Sequence, residues 1–159
     1  MHAPAGTSTI KVMKTTLNVC MAIILLCAFR ADWETNLEKA KMKAAREHKY
    51  ILLNFSGSDW CGPCIRLKET LFSSTAFVQF ADSSLVLLNA DFPRQKKNRL
   101  TAQQQQLNNQ LADQYNPSGN FPMTILLNAE GKPVKEWIGI PKEDGFGFIT
   151  EINTIIHGK

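Results

Sequence analysis

Apolar residues along the chain fall into short runs separated by stretches of helical spacing. Tyr50-Ile51-Leu52-Leu53-Asn54-Phe55 and Leu85-Val86-Leu87-Leu88-Asn89-Ala90 are almost wholly apolar, as central strands covered on both faces must be. Phe121-Pro122 opens a third such run, Met123 to Leu127, and a turn at Ala129-Glu130-Gly131-Lys132 leads into a fourth strand, Val134 to Ile138. Between them the period lengthens. Asp32 is placed to cap a helix reaching Lys49, in which Trp33, Leu37, Ala40 and Ala44 recur three and four residues apart. Leu67, Leu71 and Phe72 give an inner face to a helix from Ile65 to Phe72, and Ala76 to Ala81 forms a short helical segment after Ser73-Ser74-Thr75. Leu100, Leu107, Leu111 and Tyr115 mark a further helix, and Phe148, Ile149, Ile152, Ile155 and Ile156 a closing one. Asp91 to Asn98 is a basic, Pro-containing connection that reads most simply as a solvated loop, with a partner-binding role as the alternative. The order of elements predicts an α/β fold, a mixed sheet of about four strands with helices on both faces.

Composition places this body in one domain. The chain has 159 residues, 44% hydrophobic and 20% charged, which is ordinary for a packed globular unit. Its first thirty-one residues differ: they hold Lys11, Lys14 and Arg30 and no acid. Met13-Lys14 followed by the apolar run Leu17 to Phe29 has the pattern of an export signal and is shorter than the roughly 20 residues that span a bilayer. Residues 1–31 are therefore expected to be a disordered start and signal peptide, or an uncleaved anchor that attaches the protein to a membrane, with Met13 an alternative start. An exported, periplasmic domain over 32–159 follows from this reading. Without the leading segment the charge is 15 basic against 14 acidic, which leaves no nucleic-acid footprint.

The cysteines divide the same way. Cys20 and Cys27 lie in the apolar leader, leaving Cys61 and Cys64 alone in the body. No second C-x-x-C or paired histidines accompany them, so no metal and no cofactor is expected. Ser58-Asp59-Trp60-Cys61-Gly62-Pro63-Cys64 follows a strand and opens a helix, whose N-terminus favours negative charge. The thiolate is the reactive form of cysteine: a thiol of pKa about 8.5 is only roughly 3% ionised at pH 7, one of about 7 is half ionised. The spacing also lets the second sulfur attack a mixed disulfide formed by the first. This is redox chemistry.

Trp60-Cys61-Gly62-Pro63-Cys64 after a strand, with Phe121-Pro122 opening a later one, resembles the thioredoxin superfamily over about Asp32 to His157. The leading helix with Trp33 and the stretch Glu69-Thr70-Leu71-Phe72-Ser73 are similar to the C-terminal domain of DsbD-type disulfide reductases. The resemblance implies Cys61 as nucleophile and Cys64 as resolving thiol. It implies a cis peptide bond at Pro122, and a substrate surface of Trp60, Gly62, Pro63, Phe121, Pro122 and Gly139. It further implies disulfide-containing protein substrates, a thiol electron donor and a monomer that needs no partner to complete its core. Two positions depart from the thioredoxin pattern. Where thioredoxin places a buried Asp and Lys that assist the resolving cysteine, this chain has Asn54 and Leu87. Asp59, in a loop one residue longer, is a candidate to take over proton handling, unless it is merely solvated; its charge would also raise the Cys61 pKa. A reductase is expected. The alternatives are a disulfide oxidase or isomerase on the same fold, and a non-catalytic binding module.

Overall fold

The computed structural model describes residues 32–158, so the expected signal segment, with Cys20 and Cys27, lies outside the described residues. Five strands form one mixed sheet in the order β1-β3-β2-β4-β5. They are β1 (Trp33–Glu34), β2 (Tyr50–Ser56), β3 (Leu85–Asp91), β4 (Met123–Leu127) and β5 (Pro133–Ile138). The helices are α1 (Leu37–Glu47), α2 (Gly62–Leu67), α3 (Thr75–Ser84), α4 (Ala102–Tyr115) and α5 (Gly145–His157). The fold is thioredoxin-like, with three runs of the sequence forming its central strands. β2 pairs parallel with β3, Leu53 opposite Leu88, and antiparallel with β4, Leu53 opposite Ile125.

Alternation along these strands builds two cores. Ile51, Leu53 and Phe55 face α1 and α4, packing with Ala40, Ala44, Leu111 and Tyr115. Leu52 and Leu126 face the other way, with Leu67, Phe77, Phe148 and Ile152 of α2, α3 and α5. Phe55, Phe77 and Phe148 are fully buried, each stabilising the fold by roughly 1.5–3 kcal/mol through the apolar area removed from water. A period of two on a sheet covered on both faces yields the near-continuous apolar runs seen in the sequence.

Two helix starts differ from expectation, and a side-chain cap explains each. Asp32 and Trp33 precede α1, which is capped by Asn36: its Oδ1 accepts the Lys39 N–H at 3.0 Å. Trp33 instead enters the edge strand β1, opposite Leu87, and packs on Phe72 with ring centroids 5.3 Å apart. Leu100 likewise lies before α4, whose first turn is closed by the Thr101 hydroxyl accepting from the Gln104 N–H at 3.2 Å. Both caps satisfy amides that the helix itself cannot. The segment after α2 continues without a break as a π-helical turn, Lys68–Phe72, before Ser74 caps α3. No helix among the described residues is long and apolar enough to cross a membrane.

Candidate active site

β2 ends at Ser56, and a tight turn carries the chain into α2. The Cys61 N–H donates to the Gly57 carbonyl at 2.9 Å, and Cys61 then becomes the N-cap of α2. Its sulfur accepts the Cys64 backbone N–H at 3.3 Å, and Pro63 occupies the first turn, where its missing N–H costs nothing. Cys61 and Cys64 are joined in a disulfide, with both residues buried. The Cys64 amide thus stands beside the Cys61 sulfur, and such a donor favours a thiolate there once the pair is reduced. Gly62 and Pro63 are exposed over this turn.

Trp60 is held from three sides. Its Nε1–H donates to the Phe92 carbonyl at 2.7 Å, its ring meets Phe121 edge-on at 5.5 Å, and the Arg94 guanidinium lies 3.6 Å above it. Phe92 and Phe121 in turn pack edge-to-face at 5.5 Å. The indole is seated so closely on Gly57 that a Cβ there would fall 2.3 Å from it, so only glycine fits. Phe121 thereby joins the Trp60 side of the motif from sixty residues away, as an aromatic cluster. The Phe121–Pro122 peptide bond is cis, and the Pro122 carbonyl accepts the Gly139 N–H at 2.8 Å. Gly139 has φ +80°, a left-handed backbone that side chains disfavour. The structure thus links Trp60 to Phe121 and Pro122 to Gly139.

Asp59 has a different task from the one its sequence position offered. Its carboxylate accepts the N–H groups of Arg94 and Gln95 and the Nδ2 of Asn98, each at 2.9 Å, while its carbonyl accepts Gln95 Nε2 at 3.0 Å. The Arg94 amide above all, with help from Asn98 and Gln95, holds this carboxyl below the ordinary aspartate value. A carboxylate stabilised and occupied in this way is a poor proton acceptor, so Asp59 is an anchor and not a relay. The Asp91–Asn98 connection is correspondingly more than a solvated loop. It holds a 3₁₀ turn, Lys96–Asn98, and is bound to the motif.

The side-chain network of Asn54, Asn89 and Thr124 is neutral. Asn54 Nδ2 donates to Asn89 Oδ1 at 3.1 Å, and its Oδ1 accepts the Thr124 hydroxyl at 3.4 Å. Asn89, not Leu87, is the register partner of Asn54; Leu87 stands opposite Leu52 in the apolar layer. Asn54 and Asn89 line a cleft of about 330 Å³ with Ser56, Ser58, Asp91 and Lys68. Lys68 follows Cys64 by one turn and donates its N–H to the Cys64 carbonyl. Asp91 accepts the Ser58 hydroxyl at 2.6 Å and its N–H at 2.9 Å, tying the motif loop to β3.

Phe92, Arg94, Gly57 and Asn89 were not singled out by sequence. Only the aromatic and cation flanking Pro93 hinted at the first two, because the contacts that define them lie far away in sequence.

Comparison with known proteins agrees with this geometry. A family model described as thioredoxin-like matches residues 32–129. The disulfide bond reductase DsbH of Chlamydia pneumoniae is 32% identical over 131 residues, 82% of this chain and 76% of that protein. A solved DsbH oxidoreductase superposes with a TM-score of 0.72 at 29% identity, covering 82% of this chain and 87% of the other. The oxidised C-terminal domain of Neisseria meningitidis DsbD shares the fold, with a TM-score of 0.50 and 17% identity over 74% of this chain and 90% of its own. The chain belongs to the thioredoxin-like family, and its Cys61–Cys64 pair makes it a dithiol–disulfide oxidoreductase.

Proposed function

We propose that this oxidoreductase works outside the cytoplasm and in the reducing direction, on disulfides of other proteins. The observation that carries the thiol–disulfide chemistry itself is the capping of α2 by Cys61, whose sulfur accepts the Cys64 amide while Cys64 lies inside the helix. The name of its DsbH relative, a disulfide bond reductase, supports the direction. The leader-like pattern of residues 13–29 supports export.

In the cycle, the Cys61 thiolate attacks one sulfur of a substrate disulfide. A mixed disulfide forms, and the other substrate sulfur leaves as a thiolate and takes up a proton. Cys64 then loses its proton to solvent and attacks Cys61 Sγ. The Cys61–Cys64 bond forms, the mixed disulfide breaks, and the second substrate thiol departs. Two electrons pass to the substrate, and a thiol donor returns the protein to its reduced form. Trp60, Gly62, Pro63, Phe121, Pro122 and Gly139 form the surface on which the substrate chain lies.

Insulin reduction and scrambled-disulfide refolding, assayed side by side, test the direction. Reduction of insulin without efficient reshuffling is expected; reshuffling or net oxidation of reduced substrates would overturn the reading. Fusion of residues 1–31 to a reporter active only outside the cytoplasm tests export, and an inactive, cytoplasmic reporter would refute it.

A further inference from the structure

The six residues Arg94 to Arg99 contain four cations, Arg94, Lys96, Lys97 and Arg99, and no acid. Residues 32–158 hold 14 basic and 14 acidic side chains, so the body outside this loop has ten against fourteen. All four cations are exposed, and among the described residues none is in an ion pair. Positive charge is thus gathered at one place on a body that is otherwise net acidic.

That place is fixed relative to the disulfide. Asp59, two residues before Cys61, receives four hydrogen bonds from Arg94, Gln95 and Asn98. Arg94 stacks on Trp60, and Phe92 accepts the Trp60 N–H. The single acid of this contact points its oxygens inward at amides, and the loop's lysines remain unpaired. A connection that merely crossed the surface would have no need of so many bonds to the redox motif.

We propose that residues 94–99 form a docking lip for acidic polypeptide, selecting substrates whose disulfides are flanked by Asp or Glu. Lys96, Lys97 and Arg99 hold the acidic flank while the substrate sulfur meets Cys61. The proposal rests on the reductase reading given above. Screening confines the effect to charges near the scissile disulfide, since the Debye length is about 8 Å at physiological ionic strength. Within that range a patch of one sign raises encounter rates by about tenfold or more. An anionic membrane is the less suitable partner, because the large exposed apolar side chains, Met42, Ile65, Val134, Ile138, Ile140 and Phe146, all lie outside this loop. No apolar anchor is interleaved with its charges.

Two peptides with the same intramolecular disulfide, one flanked by glutamates and one by glutamines, provide the test. Their kcat/KM values are measured at low ionic strength, and again at high salt, with the full chain and with two variants. One variant carries Lys96→Gln, Lys97→Gln and Arg99→Gln; the other carries Glu at the same three positions. The wild type is expected to favour the acidic peptide by about tenfold at low salt. The Gln variant should lose that preference, and the Glu variant should reverse it, with the neutral peptide reduced at similar rates by all three. Equal reduction of both peptides by the wild type, or a preference that survives charge reversal, would overturn the docking lip and leave the reductase reading standing. Failure to reduce either peptide would overturn both. Charge-dependent sedimentation of the wild type with phosphatidylglycerol vesicles, absent for the Gln variant, would assign the patch to a membrane and overturn the proposal.

Discussion

The Asp59 carboxylate accepts the backbone N–H of Arg94 at 2.9 Å across 35 residues of sequence, and this bond sets the position of a whole loop beside the redox pair. Because amide donors stabilise the charged form, the folded pKa of Asp59 lies below the ordinary aspartate value. The sign follows: its contribution to loop order is present above the unfolded value and is lost as pH falls through the lower folded one. The Arg94 and Gln95 amide resonances should therefore titrate together with a midpoint below the ordinary aspartate value. A midpoint above that value would contradict the anchoring role. Asp59→Ala should speed hydrogen exchange at these two amides and leave disulfide exchange by Cys61 in place.

Gly57 and Trp60 form a second close contact near the motif. In Gly57→Ala the new methyl would overlap the indole, so the ring must swing and give up the Phe92 carbonyl. Overpacking of this kind costs about 1–3 kcal/mol. Urea denaturation should show that loss together with a changed tryptophan emission. An unaltered spectrum and midpoint would show that the ring is not seated as described.

The neutral Asn54–Asn89 pair can be tested by restoring an acid. In Asn54→Asp the buried carboxylate loses its donor and faces the Asn89 oxygen, so its folded pKa rises above the unfolded value of about 3.9. Stability should then match the wild type more nearly at acid pH and fall as pH rises through this interval, leaving a deficit of about 1–3 kcal/mol at pH 7. Equal stability of the two proteins at pH 7 would contradict this.

The fold was legible because a sheet covered on both faces leaves uninterrupted apolar runs at β2, β3 and β4. The redox pair was legible because its elements are contiguous. Helix starts were less so: Asp32 and Asn36 are both good caps, and tertiary pairing of Trp33 with β3 decided between them. Least legible was the 94–99 loop. Its charges look solvated until Asp59 is seen to bind it, and nothing local in Phe92 to Asn98 encodes a partner thirty-five residues earlier. The same holds for Asn89, whose role depends on strand register.

The capping role of Cys61 predicts unequal thiols. In the reduced native protein, iodoacetamide should alkylate Cys61 about tenfold faster than Cys64, because Cys61 caps α2 and its sulfur accepts the Cys64 amide. Fragmentation by tandem mass spectrometry of the tryptic peptide 50–66, which carries both cysteines, reads this at short times. Equal labelling of both would contradict the assignment of nucleophile and resolving thiol.

The central claim, that Cys61 and Cys64 deliver electrons to substrates, is tested most directly by the redox equilibrium of the pair with glutathione. A potential close to that of thioredoxin, about −270 mV, is the predicted result; one near −120 mV, the range of a strong oxidant, would contradict the account.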